Sequence, residues 1–80
     1  MAITNAEIAR IFEEIAELLE IGDENPFRVR AYRNAARTVE QSKIELGERI
    51  LRGETLPKLA GIGADLGNKI REIATSGSSE

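Results

Sequence analysis

The chain has 80 residues, 41% of them apolar, and a net charge of −3; that suffices for one small core and leaves little room for an enclosed substrate cavity. With no cysteine and no histidine, it can form no disulfide, thiolate metal site or thiol nucleophile, and it lacks the usual neutral-pH general base. No apolar run approaches membrane-spanning length, and the N-terminus has neither the basic start nor the apolar stretch of a signal peptide, so the expectation is a soluble, monomeric cytoplasmic domain without membrane contact.

The first predicted element is an amphipathic helix. Ile8, Ile11, Phe12, Ile15, Leu18 and Leu19 recur at helical spacing, and Thr4 with Glu7 forms a capping-box pattern at its start. Gly22 ends it, and Asp23-Glu24-Asn25-Pro26 reads as a turn whose last two residues suit the cap and first position of a second helix running to about Gln41. That helix presents a small core face of Tyr32, Ala35, Ala36 and Val39. Ser42 and Glu45 repeat the capping-box pattern and predict a short third helix ending near Gly53. Thr55 can cap a helical turn through Leu59, Gly61-Ile62-Gly63 breaks it, and a last helix from about Asp65 buries Leu66, Ile70, Ile73 and Ala74. No segment reads as a strand. The expected class is all-α, a small four- to five-helix bundle forming one domain over residues 1–76, with 77–80 a tail or cut linker suggesting a module of a longer protein.

Charge is unevenly spread. Residues 1–24 carry seven acids against Arg10 alone, a net −6, whereas residues 25–80 carry ten bases against seven acids, a net +3. Arg28, Arg30, Arg33 and Arg37 fall in a stretch without acids. At helical pitch Arg30, Arg33 and Arg37 lie within an arc of about 60°, opposite Tyr32, Ala35 and Val39. Such a stripe can neutralise phosphates or pair with the acidic first helix.

The most informative stretch runs from Leu56 to Ile70, where two predicted helices meet at Gly61-Ile62-Gly63. Glycine allows backbone angles closed to other residues and lets an anion approach without a Cβ in the way. The backbone N–H groups of Gly61 to Asp65, including Ala64, open the last helix and carry partial positive charge, an arrangement that binds phosphate rather than reading bases. Ile62 should plug into the core and hold the turn.

This stretch resembles the helix-hairpin-helix motif of non-sequence-specific DNA-binding proteins, here over residues 55–75. With the run from Asn25 to Arg37 placed before it, the chain over residues 5–77 is similar to the small N-terminal domain of family X DNA polymerases, bacterial and archaeal members in particular. The resemblance implies a nucleoid-associated DNA-repair module that grips the 5′-phosphate side of gapped or nicked DNA, with downstream polymerase domains in the parent chain. Nothing here resembles the spaced carboxylates that hold two catalytic metals, so polymerisation must reside elsewhere. By resemblance, Arg28 matches a basic 5′-phosphate ligand, Tyr32 the tyrosine beside that pocket, and Arg30 and Arg33 further DNA contacts. Lys69 matches the lysine that forms a Schiff base with the C1′ aldehyde of a 5′-deoxyribose phosphate before β-elimination. That chemistry needs an unprotonated amine, which desolvation or neighbouring positive charge would favour. The resemblance further implies a monovalent cation, sodium or potassium, held by the carbonyls of Pro57, Leu59 and Ile62, with no other cofactor. The chain departs from the family pattern at Asp65, where a basic phosphate ligand is common, at Asn68, which replaces an acid beside the lysine, and at Gly67 within the helix. Three readings follow: a DNA-binding module, a deoxyribose-phosphate lyase acting through Lys69, and a scaffold whose acidic first helix contacts another domain.

Overall fold

A computed structural model describes residues 2–22 and 25–76; Asp23 and Glu24 of the expected turn and the tail 77–80 lie outside the described residues. The described residues form four helices and no strand: α1 (Asn5–Ile21), α2 (Pro26–Gln41), α3 (Leu46–Leu51) and α4 (Ala64–Ser76). None of them is long and apolar enough to cross a membrane. The radius of gyration is 12.1 Å, which matches the roughly 12 Å of a compact chain of this length.

The expected caps form on the first two helices. The Thr4 hydroxyl accepts the Glu7 N–H at 3.2 Å, and the Glu7 carboxylate accepts the Thr4 N–H at 3.1 Å. Asn25 accepts the Phe27 N–H at 2.8 Å, with Pro26 in the first turn, where its missing N–H costs nothing.

α1 packs against α2 and α3 against α4, around a core that includes Ile8, Phe12, Tyr32, Val39, Leu46 and Ile70. The face of α2 buries Val29 in addition to the four residues expected from its pattern. On α1 the buried stripe is Ile8, Ala9, Phe12 and Ala16, and Leu18 is 68% exposed. Leu18 falls about 140° from the centre of that stripe at helical pitch, so two alanines complete the face in its place.

The second capping box does not form. Glu45 itself is the N-cap of α3 and makes no side-chain capping bond. The cap is supplied instead by Asn5, 41 residues earlier, whose Oδ1 accepts the buried Leu46 N–H at 2.9 Å. The Asn5 amide group also donates to the Ile44 carbonyl at 2.6 Å, and its backbone N–H donates to the Glu45 carboxylate at 3.3 Å. Asn5 is the one buried polar residue among those described, and each end of its amide has a partner. Ser42 turns its hydroxyl to the Ile44 backbone. Beside this junction, a Cβ built on Gly47 would run into the Ile3 carbonyl oxygen, so only glycine lets the N-terminal strap lie on α3.

α3 stops in a left-handed glycine turn. Gly53 has φ +79° and donates to the Ile50 carbonyl at 3.0 Å, while the Glu54 N–H reaches back to the Arg49 carbonyl at 2.9 Å. The helical turn expected over 55–59 is absent; residues 54–59 carry no regular secondary structure. Pro57 disfavours helical angles at Leu56 and lacks an N–H, and the Thr55 carbonyl is taken by the Arg49 guanidinium at 3.4 Å.

Replacing Asn5 by alanine leaves the Leu46 N–H buried without a partner, and should lower the unfolding free energy by about 1–3 kcal/mol in urea titrations. Gly47→Ala should cost about 1–3 kcal/mol through overpacking against Ile3. Ser42→Ala should cost less than about 1 kcal/mol, because its hydroxyl caps no helix start and bonds only the exposed Ile44 backbone.

Candidate nucleic-acid interface

The hairpin is the turn at Ala60 and Gly61 that leads into α4. Gly61 adopts φ +77°, where a side chain is strained, and the Ile62 N–H donates to the Leu59 carbonyl at 3.2 Å. Ile62 is half-buried and packs on the core, as its place between two glycines suggested. From the other side, the Thr38 hydroxyl of α2 donates to the Ala60 carbonyl at 3.1 Å and fixes the turn against the first helix pair.

α4 starts without an internal cap. Its first helical bond runs from the Gly67 N–H to the Gly63 carbonyl at 2.9 Å. Among the described residues, no hydrogen bond takes up the N–H groups of Gly63, Ala64, Asp65 or Leu66. The other three helix starts are each served by a side chain, from Thr4, Asn25 or Asn5. Gly63 does not have a positive φ, and a Cβ built on it meets nothing within 4 Å. Nothing among the described residues therefore requires glycine at this position; the face it leaves bare opens to the outside.

Beside these N–H groups lies a groove of about 210 Å³, lined among others by Thr55, Pro57, Leu59, Ile62, Gly67 and Arg71. All three residues whose carbonyls were expected to hold a cation line this one groove. The Leu59 carbonyl keeps a second lone pair beyond the Ile62 N–H, and carbonyl oxygens are hard donors of the kind a monovalent ion takes. Arg71 was missed in the sequence reading. It stands four residues after Gly67 on the same face of α4, a spacing that could have identified it.

α4 thus presents three faces. One buries Ile70, Ile73 and Ala74, and a second lines the groove with Gly67, Asn68 and Arg71. The third carries Asp65, Lys69 and Glu72, about 140–200° round the helix from Gly67. The Asp65 carboxylate therefore leaves the helix away from the groove, although its own N–H remains at the turn. Lys69 lines neither this groove nor the one on α2; its ammonium lies 3.4 Å from the Glu72 carboxylate, with the side chain 39% exposed.

The residues of α2 divide between two sides. Tyr32 is buried, with its ring edge-on to Phe12 at a centroid distance of 5.5 Å and an interplanar angle of 83°. The Arg28 guanidinium sits over the Tyr32 ring, 6.0 Å from its centre. The structure thus brings the expected Arg28 and Tyr32 together, with Tyr32 as the platform. Arg30, Arg33 and Arg37 line a separate groove between α2 and the end of α1. There Arg33 pairs with Glu20 at 2.8 Å, and Arg30 and Arg37 have no carboxylate partner among the described residues.

Among known sequences, the family described as the helix-hairpin-helix domain matches residues 3–79. The chain is 36% identical over 73 residues to the DNA polymerase/3′-5′ exonuclease PolX of Bacillus subtilis, an alignment covering 91% of this chain and 12% of that protein.

The three glycines should separate on substitution. Gly61→Ala should cost about 1–2 kcal/mol in thermal unfolding, because its backbone is left-handed. Gly67→Ala should add about 0.5–1 kcal/mol, since its Cβ would make ordinary contact 3.9 Å from Leu56. Gly63→Ser should hold or raise the melting temperature, because serine can cap the bare start of α4.

Proposed function

Because the chain belongs to the helix-hairpin-helix domain family, we propose that it is the DNA-binding module of a family X DNA polymerase, gripping the 5′-phosphate side of gapped or nicked DNA. The observation that carries this reading is the start of α4: N–H groups with no acceptor among the described residues, beside a Gly63 whose Cβ position is open. A phosphate oxygen there satisfies several donors at once and meets the positive end of the α4 dipole. It contacts backbone only, so binding follows the sugar–phosphate chain and not base sequence.

The chain spans 12% of the length of the relative it matches, so extension of the 3′ end belongs to other parts of a polymerase of that kind. Within this module Arg28 supplies charge to the terminal 5′-phosphate, and the Tyr32 face sets where that charge stands. Arg71 flanks the hairpin groove and adds a further positive contact. The carbonyls of Pro57, Leu59 and Ile62 would hold a sodium or potassium ion, which supplies positive charge between the turn and the phosphate.

The test is fluorescence-anisotropy titration of gapped DNA bearing a 5′-phosphate or a 5′-hydroxyl at the gap, at two salt concentrations. Binding should weaken with salt and favour the phosphorylated end. Gly63→Ser, with its fold intact, should bind about tenfold more weakly, since a charge-assisted hydrogen bond is lost to the new cap. Equal affinity of wild type and Gly63→Ser would contradict the hairpin as the phosphate site.

A further inference from the structure

We propose that Thr38 is a positioning residue for the hairpin: its hydroxyl selects the turn conformation in which the Gly61 N–H faces outward to a phosphate. The phosphate rests on the DNA-binding reading above; the selection of the turn rests on geometry.

The hairpin turn is Leu59-Ala60-Gly61-Ile62. Its closing bond runs from the Ile62 N–H to the Leu59 carbonyl at 3.2 Å, and Gly61, the third residue, has φ +77°. These are the marks of a type II turn, whose third residue has φ of about +80°. A type I turn closes with the same bond but has φ of about −90° at that residue. The two differ by a flip of the central peptide, here the one joining Ala60 to Gly61. Glycine takes either sign of φ, and a Cβ built on Gly61 would meet nothing within 4 Å. Neither the residue type nor crowding at Gly61 therefore chooses between the two turns.

Thr38 supplies the choice. Its hydroxyl donates to the Ala60 carbonyl at 3.1 Å, the oxygen of that same central peptide. In a trans peptide the carbonyl and the N–H leave opposite edges of the plane. With the carbonyl held toward α2, the Gly61 N–H is turned away from α2, and no hydrogen bond among the described residues takes it up. A flipped peptide would break the Thr38 bond and turn this N–H inward. A hydrogen bond at the carbonyl also polarises the N–H of its own peptide unit, which strengthens it as a donor.

The helix itself does not dictate this use of Thr38. A threonine inside a helix commonly returns its hydroxyl to a carbonyl three or four residues back. Thr75 of α4 does so, donating to the Arg71 carbonyl at 2.9 Å. Thr38 lies within α2 and is half-buried, yet its hydroxyl leaves the helix for a residue 22 positions later. Ala60 is exposed, so without Thr38 water satisfies its carbonyl in either turn. One hydrogen bond of this kind shifts such an equilibrium about two- to tenfold.

Thr38→Val and Thr38→Ser separate the hydroxyl from the packing: valine keeps the branched shape and loses the donor, whereas serine keeps the donor. The first readout is the nuclear Overhauser contact between the Ala60 Hα and the Gly61 amide proton in the free 80-residue chain. It is strong in a type II turn, where ψ of the second residue is about +120°, and weak in a type I turn, where ψ is about −30°. The contact should be strong in wild type and Thr38→Ser, and should weaken in Thr38→Val. The second readout is anisotropy titration of 5′-phosphorylated gapped DNA over a range of salt. Thr38→Val should bind about threefold more weakly, because fewer turns are in the competent form. Its slope of log K against log salt should match wild type, since the affected donor carries no formal charge. Thr38→Ser should stay within about 1.5-fold of wild type.

An undiminished Overhauser contact in Thr38→Val would overturn the proposal. So would full affinity of Thr38→Val for a DNA that wild type binds, and that result leaves the DNA-binding reading standing. A shallower salt slope in Thr38→Val would place the loss at the arginines, and equal weakening in both variants would place it in packing; either refutes a role for the hydroxyl. Wild type that binds no gapped DNA refutes the DNA-binding reading and the proposal together, and the wild-type titration alone shows it.

Discussion

One side chain, Asn5, joins the two halves of this fold. Its amide oxygen caps α3, its amide nitrogen holds the Ile44 carbonyl, and its own N–H is held by Glu45. The bonds span about half the chain and connect the α1/α2 pair to the α3/α4 pair at buried atoms. A buried amide is costly unless both ends are paired, so only one relative placement of the pairs satisfies it. The Thr38 bond to Ala60 repeats the connection at the hairpin. Between these two ties, the bare start of α4 and the arginines of α2 are held in fixed relation without a large core.

That geometry reconciles a net charge of −3 with anion binding. The acids concentrate on α1 and on one flank of α4, where Asp65, Lys69 and Glu72 share a side away from the hairpin groove. Donors to an anion come instead from backbone N–H groups, which formal charge does not count, and from α2 arginines of which only Arg33 has a carboxylate partner among the described residues. Local fields set by such arrangements matter for binding more than the sum over the chain. Affinity of this kind depends on salt and on phosphate geometry and not on base sequence.

Much of the fold was legible in the sequence because it follows from local rules. The caps at Thr4 and Asn25, the bounds of α2, the small alanine face of that helix and the anchoring of Ile62 all depend on residues within a turn or two of one another. What failed was non-local or competitive. Ser42 and Glu45 have the spacing of a capping box, but Asn5 takes the cap from a distance no local pattern encodes. Thr55 could start a helix, but Pro57 and the claim of Arg49 on the Thr55 carbonyl prevent it. Leu18 shares helical spacing with Ile11 and Ile15, but the centre of the core lies on the Ala9, Phe12 and Ala16 side, where small residues give a weaker apolar signal. The site divided in the same way: the hairpin, the Arg28/Tyr32 contact and an α2 stripe able to pair with the acidic first helix were visible, Arg71 was legible only from its spacing to Gly67, and the choice of Glu20 as the partner of Arg33 needed α1 in its place.

Anion binding by this fold turns on the backbone N–H groups at the start of α4. The most direct measurement is a nitrogen-15 chemical-shift titration of the chain with gapped DNA carrying a 5′-phosphate. The largest amide shifts should fall at Gly61 to Leu66, with a second set along the Arg30, Arg33 and Arg37 face of α2 and little change on the outer face of α1. Hairpin amides that stay in place while α1 residues move would contradict it, and would make the acidic helix the contact surface.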